Sequence, residues 1–167
     1  MKTIPTKIIL ILICLCAAKE GVAIERLLSL GQAVSLPRYS SPQSTFDNRS
    51  YHLDLGYFFR EGVMIHMSFQ FGLDGDKQVS LRFGPEFYLL KDASFLPYVG
   101  AKYMYTIVPN GNQGWMGQWG VEKDLAFLFG MENMVLRLSS GYGVIYVSDA
   151  SNRNYWEIVN IGFMFAF

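Results

Sequence analysis

From Ile24 onward, large apolar residues recur at every second position in eight segments separated by turn formers. A period of two marks a β-strand with two unlike faces. The last segment, residues 155–167, shows it most plainly. Val159, Ile161, Phe163, Phe165 and Phe167 share one parity, while Ile158, Asn160, Gly162, Met164 and Ala166 share the other. Residues 63–73 set Val63, Ile65, Met67, Phe69 and Phe71 against Met64, His66, Ser68, Gln70 and Gly72. Segments 49–59, 78–90, 95–108 and 134–147 alternate in the same way. The first segment, 24–36, is less regular, because Gln32 falls on the side of Leu28, Leu30, Val34 and Leu36. The sixth starts at Trp115, and its end is open between a turn at Lys123-Asp124 and a continuation to Gly130. The pattern predicts eight strands and no helix.

The two parities differ in kind. One is almost uniformly Leu, Val, Ile, Phe and Tyr. The other collects Asp54, Arg82, Glu86, Lys102, Glu122 and Arg137, together with His52, His66, Ser68, Gln70, Gln118 and Asn160. It also carries Gly31, Gly56, Gly72, Gly84, Gly100, Gly120, Gly141, Gly143 and Gly162. Eight strands closed into a barrel leave an interior just wide enough for side chains, so the bulky parity does not fit inside one. Between the two sheets of a sandwich it would fit, and the exposed glycines would then serve no purpose; a secreted sandwich or lipocalin-like barrel is the competing class. With the polar parity inside, the glycines relieve crowding, and Asp54, Glu86 and Glu122 can neutralise Arg82, Lys102 and Arg137. The apolar parity then meets lipid, and closure satisfies every backbone group as a bilayer demands. Tyr51, Phe59, Phe95, Tyr105, Trp115, Tyr146 and Tyr155 lie near strand ends, where aromatic girdles belong. The predicted fold is all-β: an eight-stranded antiparallel up-and-down transmembrane β-barrel with a polar, filled lumen.

Composition removes competing classes. The chain has 167 residues and zero formal net charge, so nothing favours nucleic acid as a partner, and the length suits one domain. Residues 1–23 read as a signal peptide: Lys2 and Lys7 precede an apolar run from Ile8 to Ala18, with cleavage expected after Ala18 or Ala23. That run is too short to cross about 30 Å of hydrocarbon as a helix. Residues 24–167 then form the barrel. Both cysteines, Cys14 and Cys16, fall within the signal, and Ile13 before Cys14 does not suit a lipid-attachment box. No disulfide, thiol nucleophile or thiolate metal site is expected in the mature chain.

Val159, Ile161, Phe163, Phe165 and Phe167 resemble the C-terminal β-signal of bacterial outer-membrane proteins, which the barrel assembly machinery reads. Arg82-Phe-Gly-Pro-Glu-Phe-Tyr88, followed by Leu96-Pro-Tyr-Val-Gly-Ala101, is similar to the middle strands of small eight-stranded barrels of the OmpA and OmpX kind. The resemblance implies the bacterial outer membrane, contact with lipopolysaccharide and phospholipid, and both termini in the periplasm. Connections 37–48, 74–77, 109–114 and 148–154 would lie outside, and 60–62 and 91–94 in the periplasm. Residues 123–133 would make an unusually apolar periplasmic connection, or else the sixth strand is long. A monomer is expected.

The resemblance is specific for architecture and silent on function. Barrels of the PagL kind, which deacylate lipid A, use a His and a Ser two residues apart on a lipid-facing strand and an acid on the last strand. Glu157 stands near the acid's place on the outward parity, but residues 137–146 contain no histidine, and a serine without a base is a poor nucleophile. His66 and Ser68 have the spacing on the lumen parity instead. His52, Asp54 and His66 could hold a divalent metal, though a hydrogen-bonded lumen network is the reading adopted, with no cofactor. The lumen candidates are His52, Asp54, His66, Arg82, Glu86, Lys102, Glu122 and Arg137, read as a structural ion network. Glu157 is read as a rim residue. The function expected is a non-enzymatic structural or interaction role. A narrow channel or small-ligand carrier and a lipid-modifying enzyme are the alternatives.

Overall fold

A computed structural model describes residues 28–39, 49–60, 62–73, 78–90, 95–108, 111–125, 133–146 and 152–166. The expected signal peptide, Phe167, the side chain of Phe59 and most of the connections lie outside the described residues. The strands are β1 (Leu28–Tyr39), β2 (Ser50–Arg60), β3 (Val63–Gly72), β4 (Val79–Tyr88), β5 (Leu96–Val108), β6 (Gln113–Asp124), β7 (Met134–Tyr146) and β8 (Arg153–Ala166). Each pairs with its successor, and β8 returns to pair antiparallel with β1, closing the barrel without a crossover. No helix occurs among the described residues. The β2–β3 reversal is tight enough to put Gly62 at φ 74°, a conformation that costs glycine little.

The sixth strand ends at Asp124, which pairs with Val135, and the Leu125 N–H still bonds the Met134 carbonyl at 2.9 Å. The Lys123-Asp124 alternative is therefore the better of the two ends. Residues 126–132 lie outside the described residues.

Alternation sorts the side chains as the polar-inside reading requires. Leu30, Leu53, Ile65, Phe83, Val99, Trp119, Ile161 and Phe163 are exposed on the outer wall. His52, Asp54, His66, Arg82, Glu86, Lys102, Glu122 and Arg137 are all buried inside. Glycines on the inner parity stand where the walls come closest. A Cβ on Gly84 would strike the Ala101 carbonyl oxygen, and one on Gly143 the Trp115 carbonyl oxygen. A Cβ on Gly117, on the outer parity, would meet only the Tyr142 carbonyl oxygen, at 3.9 Å.

Register shifts occur between Phe58 and Arg60 of β2, opposite Val79–Ser80 in β5, and in the middle of β8, where the strand changes face. Against β1 the register steps from Leu36↔Val159 to Pro37↔Glu157, and against β7 from Ser139↔Asn160 to Gly141↔Glu157. Both neighbours thus see one extra residue in β8, a β-bulge at Ile158-Val159 whose two side chains both point outward. Everything before the bulge changes face. Glu157, expected outward and at the rim, is fully buried in the lumen, and Tyr155, expected in the aromatic girdle, is buried with it. Trp156 takes the outer surface instead. The bulge displaces the Glu157 carbonyl from the ladder, and the Ser140 hydroxyl donates to it at 2.8 Å, so the backbone group stays satisfied within the wall.

Candidate functional site: the ion-paired lumen

The lumen contains two charge clusters joined by a histidine. The first is centred on Arg82 of β4, whose guanidinium donates through Nη1 to Glu157 Oε2 and through Nη2 to Gln70 Oε1 and the Tyr155 hydroxyl. Tyr155 in turn donates to Glu157 Oε2 at 3.0 Å, and Asn160 Nδ2 donates to Glu157 Oε1 at 3.1 Å. The guanidinium carbon also lies 5.0 Å from the Tyr155 ring centroid, within cation–π range. Gln70 extends the cluster, donating to Ser50 Oγ at 2.7 Å and accepting from Ser80 Oγ at 3.0 Å.

The second cluster gathers residues from β2 to β7. Glu86 Oε1 receives Arg137 Nη2 at 2.5 Å and Lys102 Nζ at 2.8 Å. Arg137 Nη1 reaches Glu122 Oε1 at 3.2 Å, and the Tyr88 hydroxyl donates to the same oxygen at 2.7 Å. The guanidinium also covers the Tyr98 ring, 4.2 Å from its centroid. Lys102 Nζ contacts His66 Nδ1. The other ring nitrogen, Nε2, faces Asp54 Oδ1 at 3.4 Å.

His52 sits between the clusters. Its Nε2 meets Ser35 Oγ at 2.7 Å and its Nδ1 meets Ser68 Oγ at 3.1 Å. The His66 and Ser68 that are two residues apart in sequence therefore have different partners: Ser68 turns to His52, and His66 to Asp54, Glu86 and Lys102. The three candidate metal ligands divide in the same way, with Asp54 and His66 facing each other and His52 held by two hydroxyls. No group of three or more His, Cys, Asp or Glu that could hold a metal occurs among the described residues.

Apolar side chains flank the charges at both ends. Met104, Met116, Ile145 and Tyr155 pack together near the end that bears the β5–β6 and β7–β8 connections. Met64, Tyr88 and Tyr98, with Phe58 and Leu96 against them, pack near the end that bears the β2–β3 and β4–β5 connections. The interior is a packed medium in which Arg82, Lys102 and Arg137 are each held by a carboxylate.

The architecture matches solved membrane barrels. Neisserial surface protein A superposes with a TM-score of 0.66 at 15% identity, covering 84% of this chain and 97% of that one. A de novo designed transmembrane β-barrel gives 0.60 at 13% identity, over 84% and 95% of the two chains. The outer membrane protein OprG of Pseudomonas aeruginosa gives 0.50 at 13% identity, over 84% and 95%. The fold is the closed eight-stranded barrel of these membrane proteins. No protein-family model matches the sequence, and no curated protein matches it. At these identities the likeness concerns the fold alone.

Within this barrel, sequence reasoning missed two members of the lumen site, Glu157 and Tyr155. A signal for them was present. A carboxylate on a lipid-facing parity is costly, so Glu157 on the same side as Phe163 and Phe165 calls for a change of face between them. Gln70, Asn160 and Ser68, placed on the lumen parity, are indeed inside.

Proposed function

We propose that the protein is exported by its N-terminal signal and inserted into the bacterial outer membrane as a closed, non-conducting barrel with a structural or interaction role. In this reading lipopolysaccharide and phospholipid surround the outer wall. The parity Val159, Ile161, Phe163, Phe165 and Phe167 serves the barrel assembly machinery as its address; Phe167 lies outside the described residues. The observation that carries the reading is the packing of the lumen. Arg82 and Glu157, and Glu86 with Lys102 and Arg137, compensate one another under apolar stoppers at both ends. An ion crossing such an interior would have to break buried pairs that hold the wall together. A nucleophile there would be out of reach of any lipid, and Ser35 and Ser68, the hydroxyls beside His52, are both buried.

Conductance in planar bilayers tests this directly. The purified barrel should give a flat trace, and Arg82→Ala or Glu86→Ala should open at most a leak. Discrete wild-type openings that vanish in either variant would replace the reading with a channel. A change in lipid A mass on expression that depends on His66 or Ser68 would replace it with an enzyme.

A further inference from the structure

A polar side chain stands among the apolar residues of the outer wall on β1. Gln32 of β1 is exposed, and its amide is ringed by Leu30 and Val34 on its own strand, Leu53 opposite on β2 and Phe163 opposite on β8, all exposed. The Tyr51 hydroxyl donates to Gln32 Oε1 at 2.6 Å, which satisfies half of the amide. The two hydrogens on Nε2 have no acceptor among the described residues, and hydrocarbon offers none. Along β1 and β8 Gln32 is flanked by the exposed Leu30, Val34, Ile161 and Phe165.

We propose that this wall, β8–β1–β2, is where a second copy of the chain docks within the membrane. The amide is self-complementary. A two-fold axis normal to the membrane and passing beside Gln32 sets the same residue of the second barrel at the same depth. Each Nε2 can then donate to the other's Oε1, which keeps a lone pair after accepting from Tyr51. Leu30, Val34 and Leu53 present branched aliphatic surface around that centre. The proposal rests on the membrane reading above, and it replaces the expectation of a monomer.

The test uses the full chain, expressed to the outer membrane and also reconstituted in phospholipid vesicles. Residues 24–167 contain no cysteine, so Val34→Cys places a thiol beside the proposed axis, and Phe83→Cys places one on β4, away from β8–β1–β2. Heat-modifiable migration is read first on every sample. A chain that does not insert overturns the membrane reading and the docking with it. Among inserted chains, mild oxidation should give a dimer band for Val34→Cys and none for Phe83→Cys. Adding Gln32→Leu to Val34→Cys should weaken association about tenfold, as loss of buried polar contacts within a membrane does. An inserted barrel that stays monomeric at high protein-to-lipid ratio overturns the docking alone. So does equal crosslinking at both positions, a dimer indifferent to Gln32→Leu, or a Val34→Cys adduct to a different protein.

Discussion

Replacing Glu157 by alanine should be among the most damaging single changes in the barrel. The carboxylate is fully buried and is the ion-pair partner of Arg82. Its loss takes the carboxylate from the guanidinium's acceptors and removes the acceptor that the Tyr155 O–H and one Asn160 N–H find on Glu157. Breaking a buried pair from one side costs about 3–5 kcal/mol, and each donor deprived of that acceptor adds to the case for the upper half of that range. The double change Arg82→Met with Glu157→Met removes both charges and should cost less than Glu157→Ala alone, because no uncompensated charge remains inside. Equilibrium urea unfolding in phospholipid vesicles, followed through the lipid-exposed Trp115, Trp119 and Trp156, measures both. The reasoning fails if Glu157→Ala costs under about 1 kcal/mol, the value of an exposed rim pair, or if the two single-site costs simply add. Deleting Ile158 tests the cause: without the extra residue Glu157 returns to the lipid parity, and the cost should match or exceed that of Glu157→Ala.

Phe83 is exposed in the middle of β4, and Phe83→Arg should cost about 2–4 kcal/mol in the same unfolding assay if the outer wall meets lipid; no loss would count against the membrane orientation. Gly84→Ala drives a Cβ into the Ala101 carbonyl oxygen, whereas Gly117→Ala meets nothing closer than the Tyr142 carbonyl oxygen at 3.9 Å. The first should cost about 1–3 kcal/mol and the second should stay within about 0.5 kcal/mol of wild type; similar costs would refute the assigned parities. Tyr155→Phe removes a hydroxyl that accepts from Arg82 and donates to Glu157, and it should cost about 1–2 kcal/mol. A girdle tyrosine at the membrane surface would lose a few tenths.

The architecture is legible in the sequence because lipid outside and a narrow interior make opposite demands at every step along a strand. Met64, His66, Ser68 and Gln70 cannot face hydrocarbon together, and Ile65, Met67 and Phe69 cannot fill an eight-stranded interior, so β3 has one acceptable orientation. The identity of the lumen charges follows by the same rule, which is why His52 to Arg137 could be named from parity. Their partners could not. Arg82 meets Glu157 across 75 residues of chain, and Arg137 meets Glu86 across 51. Such pairings depend on register and on the curvature that brings non-adjacent strands face to face, neither of which spacing encodes.

The bulge shows where alternation itself gives way. Counting back from Phe167 carries one parity through Phe165, Phe163, Ile161 and Val159, and the count does not stop at Ile158, because an isoleucine beside a valine suits lipid whichever of the two is extra. Only the next residues register the slip, Glu157 by its charge and Tyr155 by its hydroxyl. The bulge is also what supplies Arg82 with its counter-ion. In an unbulged β8 the guanidinium would keep Gln70 but face the lumen without Glu157, and a carboxylate would stand in lipid, two costs that a single inserted residue removes together. The local irregularity and the charge balance of the lumen are therefore one feature, and the Ile158 deletion and the Glu157→Ala exchange should damage the barrel by the same route.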